Sequence, residues 1–220
     1  MGTEGTYSPF TFHDPATNDL TGYDVDVATA VAEKLGVEPE FYETQWDAIF
    51  AGLEAGRYDV IANQVSITEE RQQKYDLSEP YTVSTGVVVT RADDTGITSI
   101  EDVRGRTSAQ SVAWNWNQVA VDAGAEVEAV EGFTQAVAAL KQGRIDLTIN
   151  DNLAVLDYLR STGDTDVKIA FEVEEGTSQA LAMRKDSGLL DAVNGALADV
   201  REDGTLTEIS EKWFGEDVTQ

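Results

Sequence analysis

One stretch of chain recurs after 87 residues, and this repetition constrains the fold more than any other feature. The paired positions carry an aromatic residue, a leucine, a Gly-Arg dipeptide, an aspartate and an asparagine. They are Trp46, Leu53, Gly56, Arg57, Asp59 and Asn63 in the first copy and Phe133, Leu140, Gly143, Arg144, Asp146 and Asn150 in the second. Each copy predicts an aromatic-led helix, a Gly-Arg turn and a short strand with a polar end.

Two explanations fit this repetition. Helix, glycine and strand follow one another in α/β proteins generally, so the match could be coincidental. Alternatively, the chain forms two similar lobes, each with polar residues at the carboxyl edge of its sheet, where open α/β sheets bind ligands. Two such edges facing each other would form an interlobe cleft, and the length of 220 residues suits two lobes of ~100 residues each. We favour the two-lobe interpretation.

Short apolar runs alternate with helical periodicity along the rest of the chain. This alternation is typical of an α/β protein with mostly parallel sheet. Helices are predicted at 24–35, 46–55, 153–159, 191–200 and 206–214, and strands at 40–43 and 59–62.

Two further strand-like runs mark the lobe boundaries, since no Pro-rich or Ser-rich linker is present. They lie near 86–91 and 179–183 and would cross between the lobes as hinge strands. The first lobe would then be discontinuous, comprising 1–87 and 183–220, and the second would be the insert 88–182.

Composition excludes several classes of function. The chain lacks cysteine, which removes disulfides, thiolate nucleophiles and Cys-type metal sites, and its one histidine, His13, is predicted in a loop without a role. We therefore expect no catalytic residue, metal or cofactor. A net charge of -26 repels phosphate backbones, so nucleic acid is not an expected partner. The acidic surface fits either a high-salt habitat or codon bias, and both remain open.

The hydropathy pattern contains no run of ~18 apolar residues that would span a bilayer. The first residues lack the basic and apolar regions of a secretory signal. Because the cysteine-free composition slightly favours export, we expect an exported protein whose signal segment is missing from this sequence.

Several segments, in order along nearly the whole chain, resemble extracytoplasmic solute-binding proteins that deliver polar amino acids to ABC importers. They are Gly2–Phe10, Gly22–Asp26, Ser66–Arg71, Asp151–Asn152 and Arg201–Thr205. The segment Ser66-Ile67-Thr68-x-x-Arg71 is the most specific. Three further segments, 63–68, 107–111 and 211–217, look most like the cystine-binding branch.

The resemblance implies a two-lobe fold of the periplasmic-binding-protein type (type II), which closes on its ligand by hinge bending. It implies a monomer that is periplasmic or lipid-anchored at the cell surface and that works with the membrane subunits of an ABC importer. The expected ligand is L-cystine, then glutamine or glutamate. A dehydratase-like enzyme on the same fold and a ligand-binding sensor domain remain alternatives.

A free amino acid offers a carboxylate and an ammonium, so its site needs a cation and an anion held apart. The resemblance assigns Arg71 to the carboxylate, assisted by the Ser66 hydroxyl and by backbone N–H groups of Ala113–Asn115. The alternative for Arg71 is a surface ion pair with Glu69 or Glu70. Trp114 stands where the family prefers small residues, so its indole would enter the pocket or point away from it.

The resemblance assigns Asp151 to the ligand ammonium, with the Gln64 carbonyl and the Ser66 hydroxyl as further acceptors. It also places Asn63 among the ligand-binding residues. The alternative is that Asp151 caps the following helix, although Asn152 is also available as a cap. Asp24 and Asp26 are interpreted as helix N-terminal caps rather than metal ligands.

Three further residues are assigned to the ligand side chain. The resemblance places the aromatic rings of Tyr7 and Trp46 on either side of it, although Trp46 also suits a packed helix face. Glu4 would accept from an amide, a cationic head or the second ammonium of cystine. Its alternative is a solvated surface acid.

Overall fold

The computed structural model describes residues 1–173 and 176–220. The helices are α1 Tyr23–Lys34, α2 Trp46–Glu54, α3 Glu69–Lys74, α4 Asn115–Asp122, α5 Phe133–Lys141, α6 Asn152–Thr162, α7 Leu190–Glu202 and α8 Thr205–Phe214, with a 3-10 turn at Ile100–Val103. The strands are β1 Gly2–Thr3, β2 Thr6–Tyr7, β3 Thr11–His13, β4 Leu20–Thr21, β5 Tyr42–Glu43, β6 Val60–Ser66, β7 Tyr75–Leu77, β8 Thr82–Arg91, β9 Thr107–Gln110, β10 Glu126–Ala129, β11 Leu147–Asp151 and β12 Val167–Arg184.

The chain divides into two compact units. The first comprises Met1–Val83 with Thr177–Gln220, and the second is Ser84–Gly176. The chain passes from one unit to the other within β8 and returns within β12. The boundaries expected from the sequence, 87/88 and 182/183, lie four and six residues further along the same two strands.

The first unit is built on a mixed sheet. Strand β1 pairs in parallel with β5 and β6, and β12 runs antiparallel to β6 and β7. Helices α1, α7 and α8 pack together and bury apolar side chains, including Val27, Leu197 and Leu206. Strands β2, β3 and β4 form a separate antiparallel sheet, which places His13 in a strand rather than in the predicted loop.

In the second unit, β10, β9 and β11 are parallel and β11 pairs antiparallel with β8. Alternate residues of β8 serve opposite faces. Val87 and Val89 join the apolar cluster that contains Phe133 of α5, whereas Val88 joins the cluster that contains Trp116 of α4. Helices therefore cover both faces, and the predicted α/β class with mostly parallel sheet is confirmed.

The internal repeat is present in the backbone of both units. Helices α2 and α5 have the same length and occupy equivalent positions. Gly56 and Gly143 follow them with φ values of 69° and 68°, in the left-handed region that glycine adopts without steric cost. In each copy the glycine N–H donates to the leucine carbonyl three residues earlier, at 3.0 Å. The N–H of the following arginine donates to the carbonyl five residues earlier, which completes a Schellman motif.

An arginine at the end of an antiparallel strand braces each copy. Arg184, the last residue of β12, donates from Nη1 to the carbonyls of Leu53 (3.1 Å) and Tyr58 (2.7 Å). Arg91, the last residue of β8, donates from Nη1 to the equivalent carbonyls of Leu140 (3.4 Å) and Ile145 (2.7 Å). We call these two side chains the arginine braces. They satisfy carbonyls at the end of each repeat helix and two residues before each repeat strand.

The N-terminal cap interpretation of Asp24 and Asp26 is wrong. Gly22 precedes α1, and both aspartates lie within its first turn. Asp26 accepts from Lys212 (2.6 Å) and from the Trp213 indole (2.7 Å) of α8, because its side chain faces that helix. No helix in the described part of the chain combines the length and apolar character needed to cross a bilayer.

Candidate functional site

The first group of candidate residues lies where β6 ends and α3 begins. Ser66 is the last residue of β6, and Thr68 caps α3 by accepting from the Arg71 backbone N–H at 3.2 Å. Arg71 therefore stands in the first turn of α3. Its guanidinium turns back to the strand and donates from Nη1 to the Ser66 carbonyl at 3.0 Å.

Aromatic rings surround the Arg71 guanidinium. Its carbon lies 5.5 Å from the ring centre of Trp46 and 5.4 Å from that of Phe50, within the range of cation–π contact. Arg71 is only 9% exposed, and burial lowers its pKa to about 10, so it is protonated at neutral pH. The surface-pair alternative is wrong, because Arg71 is buried and Glu70 pairs with Lys74 instead.

Trp46 is a buried residue of the first unit. It is 4% exposed and meets Phe50 edge to face, with ring centres 5.5 Å apart. Its indole N–H has no hydrogen-bond partner among the described residues. Trp46 therefore packs inside the first unit, as one of its two expected roles required. Its contact with a ligand side chain remains a prediction. Sequence reasoning missed Phe50, which carried only the signal of an apolar helix face.

Glu4 and Asn63 hold each other through two hydrogen bonds. The Glu4 backbone N–H donates to Asn63 Oδ1, and Asn63 Nδ2 donates to Glu4 Oε2, both at 2.7 Å. Burial raises the pKa of the Glu4 carboxyl to about 7, the bond from Asn63 opposes this, and nearby Asp47 adds to it. The solvated-acid alternative is wrong, because this carboxyl is bonded and partly buried.

Gln64 and Tyr7 complete the candidates of the first unit. Gln64 is 8% exposed, and its side-chain amide donates to Asp24 at 2.6 Å and to Thr82 at 3.3 Å. Tyr7 is half-buried, with its ring centre 5.0 Å from that of Phe10. The ligand contacts predicted for Tyr7, Ser66 and the Gln64 carbonyl remain predictions.

Asp151 is the polar end of β11 in the second unit. Its Oδ2 accepts a short hydrogen bond from the Ser84 hydroxyl, and its Oδ1 accepts from the Leu153 N–H at 3.0 Å. Burial raises the pKa of this carboxyl to about 6, and the bonds from Ser84 and the backbone oppose the shift. Asp151 is only 5% exposed, so its carboxyl is a desolvated hydrogen-bond acceptor.

Asp151 itself caps α6, and the expectation that Asn152 could do so is wrong. Asn152 Oδ1 instead accepts from the Thr85 N–H at 3.2 Å, because the asparagine is the first residue of α6 and faces β8. The cap does not exclude a ligand role, which stays a prediction. Sequence reasoning missed Ser84, since a serine within a strand carries no local signal of its partner.

Residues 113–115 form the turn that leads into α4. The Trp114 N–H donates to the Ser111 carbonyl at 3.1 Å, and the Ala113 N–H donates to the Ser111 hydroxyl at 3.3 Å. Asn115 begins the helix. The half-buried Trp114 indole packs against the apolar cluster that contains Phe133. Contact of this turn with a ligand remains a prediction.

Each unit therefore has buried ionisable groups around the end of its repeat strand. The first unit offers the desolvated guanidinium of Arg71 and, separately, the Glu4 carboxyl of raised pKa held by Asn63, and the second offers the desolvated carboxyl of Asp151. A guanidinium of this kind binds carboxylates through paired N–H donors, and a carboxylate binds ammonium groups.

Comparison with known proteins identifies the family of this chain. The family model described as bacterial extracellular solute-binding proteins, family 3, matches residues 1–216. The L-cystine-binding protein TcyA of Bacillus subtilis is 56% identical, in an alignment that covers 100% of this chain and 82% of that protein.

Two solved structures are similar over almost the whole chain. The L-cystine solute receptor of Neisseria gonorrhoeae, in its unliganded open conformation, is 45% identical with a TM-score of 0.65 and covers 100% of this chain and 93% of its own. An ancestral arginine-binding protein bound to arginine is 38% identical with a TM-score of 0.90, covering 97% and 96%.

Proposed function

Because the chain belongs to the bacterial extracellular solute-binding proteins, family 3, we propose that it binds a polar amino acid and delivers it to an ABC importer. L-Cystine is the first ligand, ahead of glutamine or glutamate. The observation that carries this choice is the 56% identity to an L-cystine-binding protein along the entire chain. The protein acts outside the cytoplasm, in a periplasm or anchored by lipid, and works as a monomer.

Arg71 binds the ligand α-carboxylate. Its guanidinium is desolvated, oriented by the Ser66 carbonyl and backed by two aromatic rings, so little conformational freedom is lost when a carboxylate arrives. The Ser66 hydroxyl and the N–H groups of residues 113–115 supply further donors.

Asp151 binds the α-ammonium of the same ligand molecule. Its carboxyl is already oriented by Ser84 and by the Leu153 N–H. A cationic partner favours the ionised form of this carboxyl, because it offsets the desolvation that raises its pKa. Bonds to both ends of an amino acid distinguish it from simple carboxylic acids and amines.

Glu4 selects among ligand side chains. Asn63 holds its carboxyl, which is near neutrality in pKa and so gains most from a nearby cation. The second ammonium of cystine supplies that cation. Glutamine offers an amide instead, which a protonated or ionised Glu4 accommodates more weakly. Tyr7 and Trp46 contribute apolar contact to the ligand side chain.

Binding occurs without turnover. The relatives reported above are named as binding proteins or a receptor rather than as enzymes, which supports this choice over a dehydratase-like activity. The candidate general acid for such chemistry is Glu4, which this proposal assigns to the ligand side chain instead.

A ligand screen tests the function. Thermal shift and calorimetry over the twenty amino acids and cystine should show stabilisation by cystine first and by few others, since a ligand stabilises by mass action. Mass spectrometry of the supernatant should recover the ligand unchanged. Preference for an apolar amino acid would contradict the ligand class, and a dehydrated or hydrolysed product would contradict binding without turnover.

A further inference from the structure

Strand β6 contains a bulge next to the candidate ligand residues. Its pairing with β12 joins Val65 to Ala180 and then Ile61 to Ala182, so residues 62–64 of β6 face the single residue Leu181. Gln64, the last of the three, has a φ of 48°, in the left-handed region that non-glycine residues seldom adopt. Bulges often change the direction of a strand beside a functional site.

Asp24 supplies the acceptor that the bulge removes from the ladder. Its carboxylate is fully buried in the first turn of α1. Oδ2 accepts from the Gln64 backbone N–H at 2.8 Å, and Oδ1 accepts from the Gln64 side-chain amide at 2.6 Å. The Tyr81 hydroxyl donates to Oδ1 at 2.9 Å. One carboxylate therefore holds both the backbone and the side chain of a left-handed residue.

We propose that Asp24 is a positioning residue for ligand binding, acting through Gln64 to set the shape of the strand end Asn63–Ser66. This inference rests on the proposed function. Asn63 holds Glu4, and the Ser66 carbonyl holds Arg71, so a change of backbone direction between them would move both charged groups. Asp24 touches no ligand itself.

The chemistry of the three contacts requires a carboxylate. Each of these contacts brings a donor, and an ionised aspartate has only acceptors, whereas asparagine would place an NH₂ group among donors. Asp24→Asn thus keeps the size of the side chain and breaks the anchor. A glycine at this position of β6 adopts positive φ without an anchor and lacks the side-chain amide, so Gln64→Gly relieves the need for Asp24.

The experiment measures cystine affinity by calorimetry in four proteins: the unaltered chain, Asp24→Asn, Gln64→Gly and the double variant. Loss of two anchoring bonds should weaken binding about 10-fold or more when Gln64 is present. The same substitution should cost at most about 3-fold in the Gln64→Gly background, because the side-chain amide is gone and glycine keeps its positive φ even when the backbone bond to Asp24 is weakened. Asp26→Asn, on the same helix but bonded to α8, is the matched control and should leave affinity unchanged.

An equal loss from Asp24→Asn in both backgrounds, or none in either, would overturn the inference. If Asp24→Asn does not fold, Gln64→Ala against Gln64→Gly replaces it: alanine should bind more weakly, and equal affinity would contradict the role of the left-handed anchor. If the unaltered chain binds no amino acid, the proposed function fails. The amide resonance of Gln64 then still tests the anchor, since Asp24→Asn should shift it and Asp26→Asn should not.

Discussion

The two copies of the repeat share a scaffold and differ in the residue that follows the shared asparagine. Both have the aromatic-led helix, the Schellman turn, the arginine brace and an asparagine near the strand end. The residue after that asparagine is Gln64 in the first copy and Asp151 in the second. Gln64 is a bulged residue held by a buried carboxylate, and Asp151 is itself the buried carboxylate, held by a hydroxyl.

This difference goes with charged groups of opposite sign after the two repeat strands. In the first copy the strand continues to Ser66 and turns into α3, which brings in Arg71. In the second copy β11 ends at Asp151 and enters α6 at once. One scaffold therefore carries a cationic group after the repeat strand in one unit and an anionic group at the strand end in the other. Backbone bracing is common to both copies, and the charged group near the strand end is particular to each.

Removing the cationic end should have the largest effect. Arg71→Ala takes away a desolvated charged contact, typically worth roughly 2–5 kcal/mol, so affinity should fall about 30-fold or more. Calorimetry with cystine measures it. The affinity of Arg71→Lys should lie between those of the unaltered chain and Arg71→Ala, because an ammonium keeps the charge but lacks the planar pair of donors. The exposed Arg57→Ala is the control, and unchanged binding in Arg71→Ala would refute the carboxylate assignment.

Altering the anionic end should have the next largest effect. Asp151→Asn should weaken an amino acid about 10-fold or more but have a smaller effect on the same molecule without its α-ammonium. Equal losses would mean that Asp151 only caps α6. Ser84→Ala sharpens the test: loss of its hydrogen bond should raise the pKa of Asp151 further, so on acidification the affinity should begin to fall at a higher pH.

Glu4 should make the first unit sensitive to pH. In the ligand-free protein its pKa rises from 4.5 to about 7, so its contribution to stability is full below 4.5 and is lost as pH rises through about 7. Affinity for a ligand with a second cation should instead increase as pH rises, because the ionised Glu4 carboxylate binds that cation. We expect cystine affinity relative to glutamine to increase between about pH 6.5 and 8.5, on either side of that pKa, and to be flat in Glu4→Gln. A flat ratio in the unaltered chain would remove Glu4 as the selector.

The repeat made much of the fold predictable. Helical spacing from Trp46 and from Phe133, each followed by a glycine, located α2 and α5 because these signals are local. The resemblance located Arg71 and Asp151 as candidates, but not their surroundings. The contact of Asp24 with β6 could not be predicted, because an aspartate at the start of a helix suggests a cap and its partner Gln64 lies forty residues away in the sequence.

The arginine braces should give the smallest effects, and these should be effects on stability. Arg184→Ala and Arg91→Ala each leave two carbonyls without a charged donor. Because both side chains are about a third exposed, we expect ~1–2 kcal/mol for each, or a fall in Tm of roughly 2–8 °C by circular dichroism. Arg184→Ala should cost more, since one bond of Arg91 is longer and Arg184 also pairs with Asp59 at 2.8 Å. Asp59→Asn separates that ion pair from the brace. If Asp59→Asn costs as much as Arg184→Ala while Arg91→Ala costs nothing, the braces do not stabilise the repeat, and the similarity of the two copies comes from the Schellman turns alone.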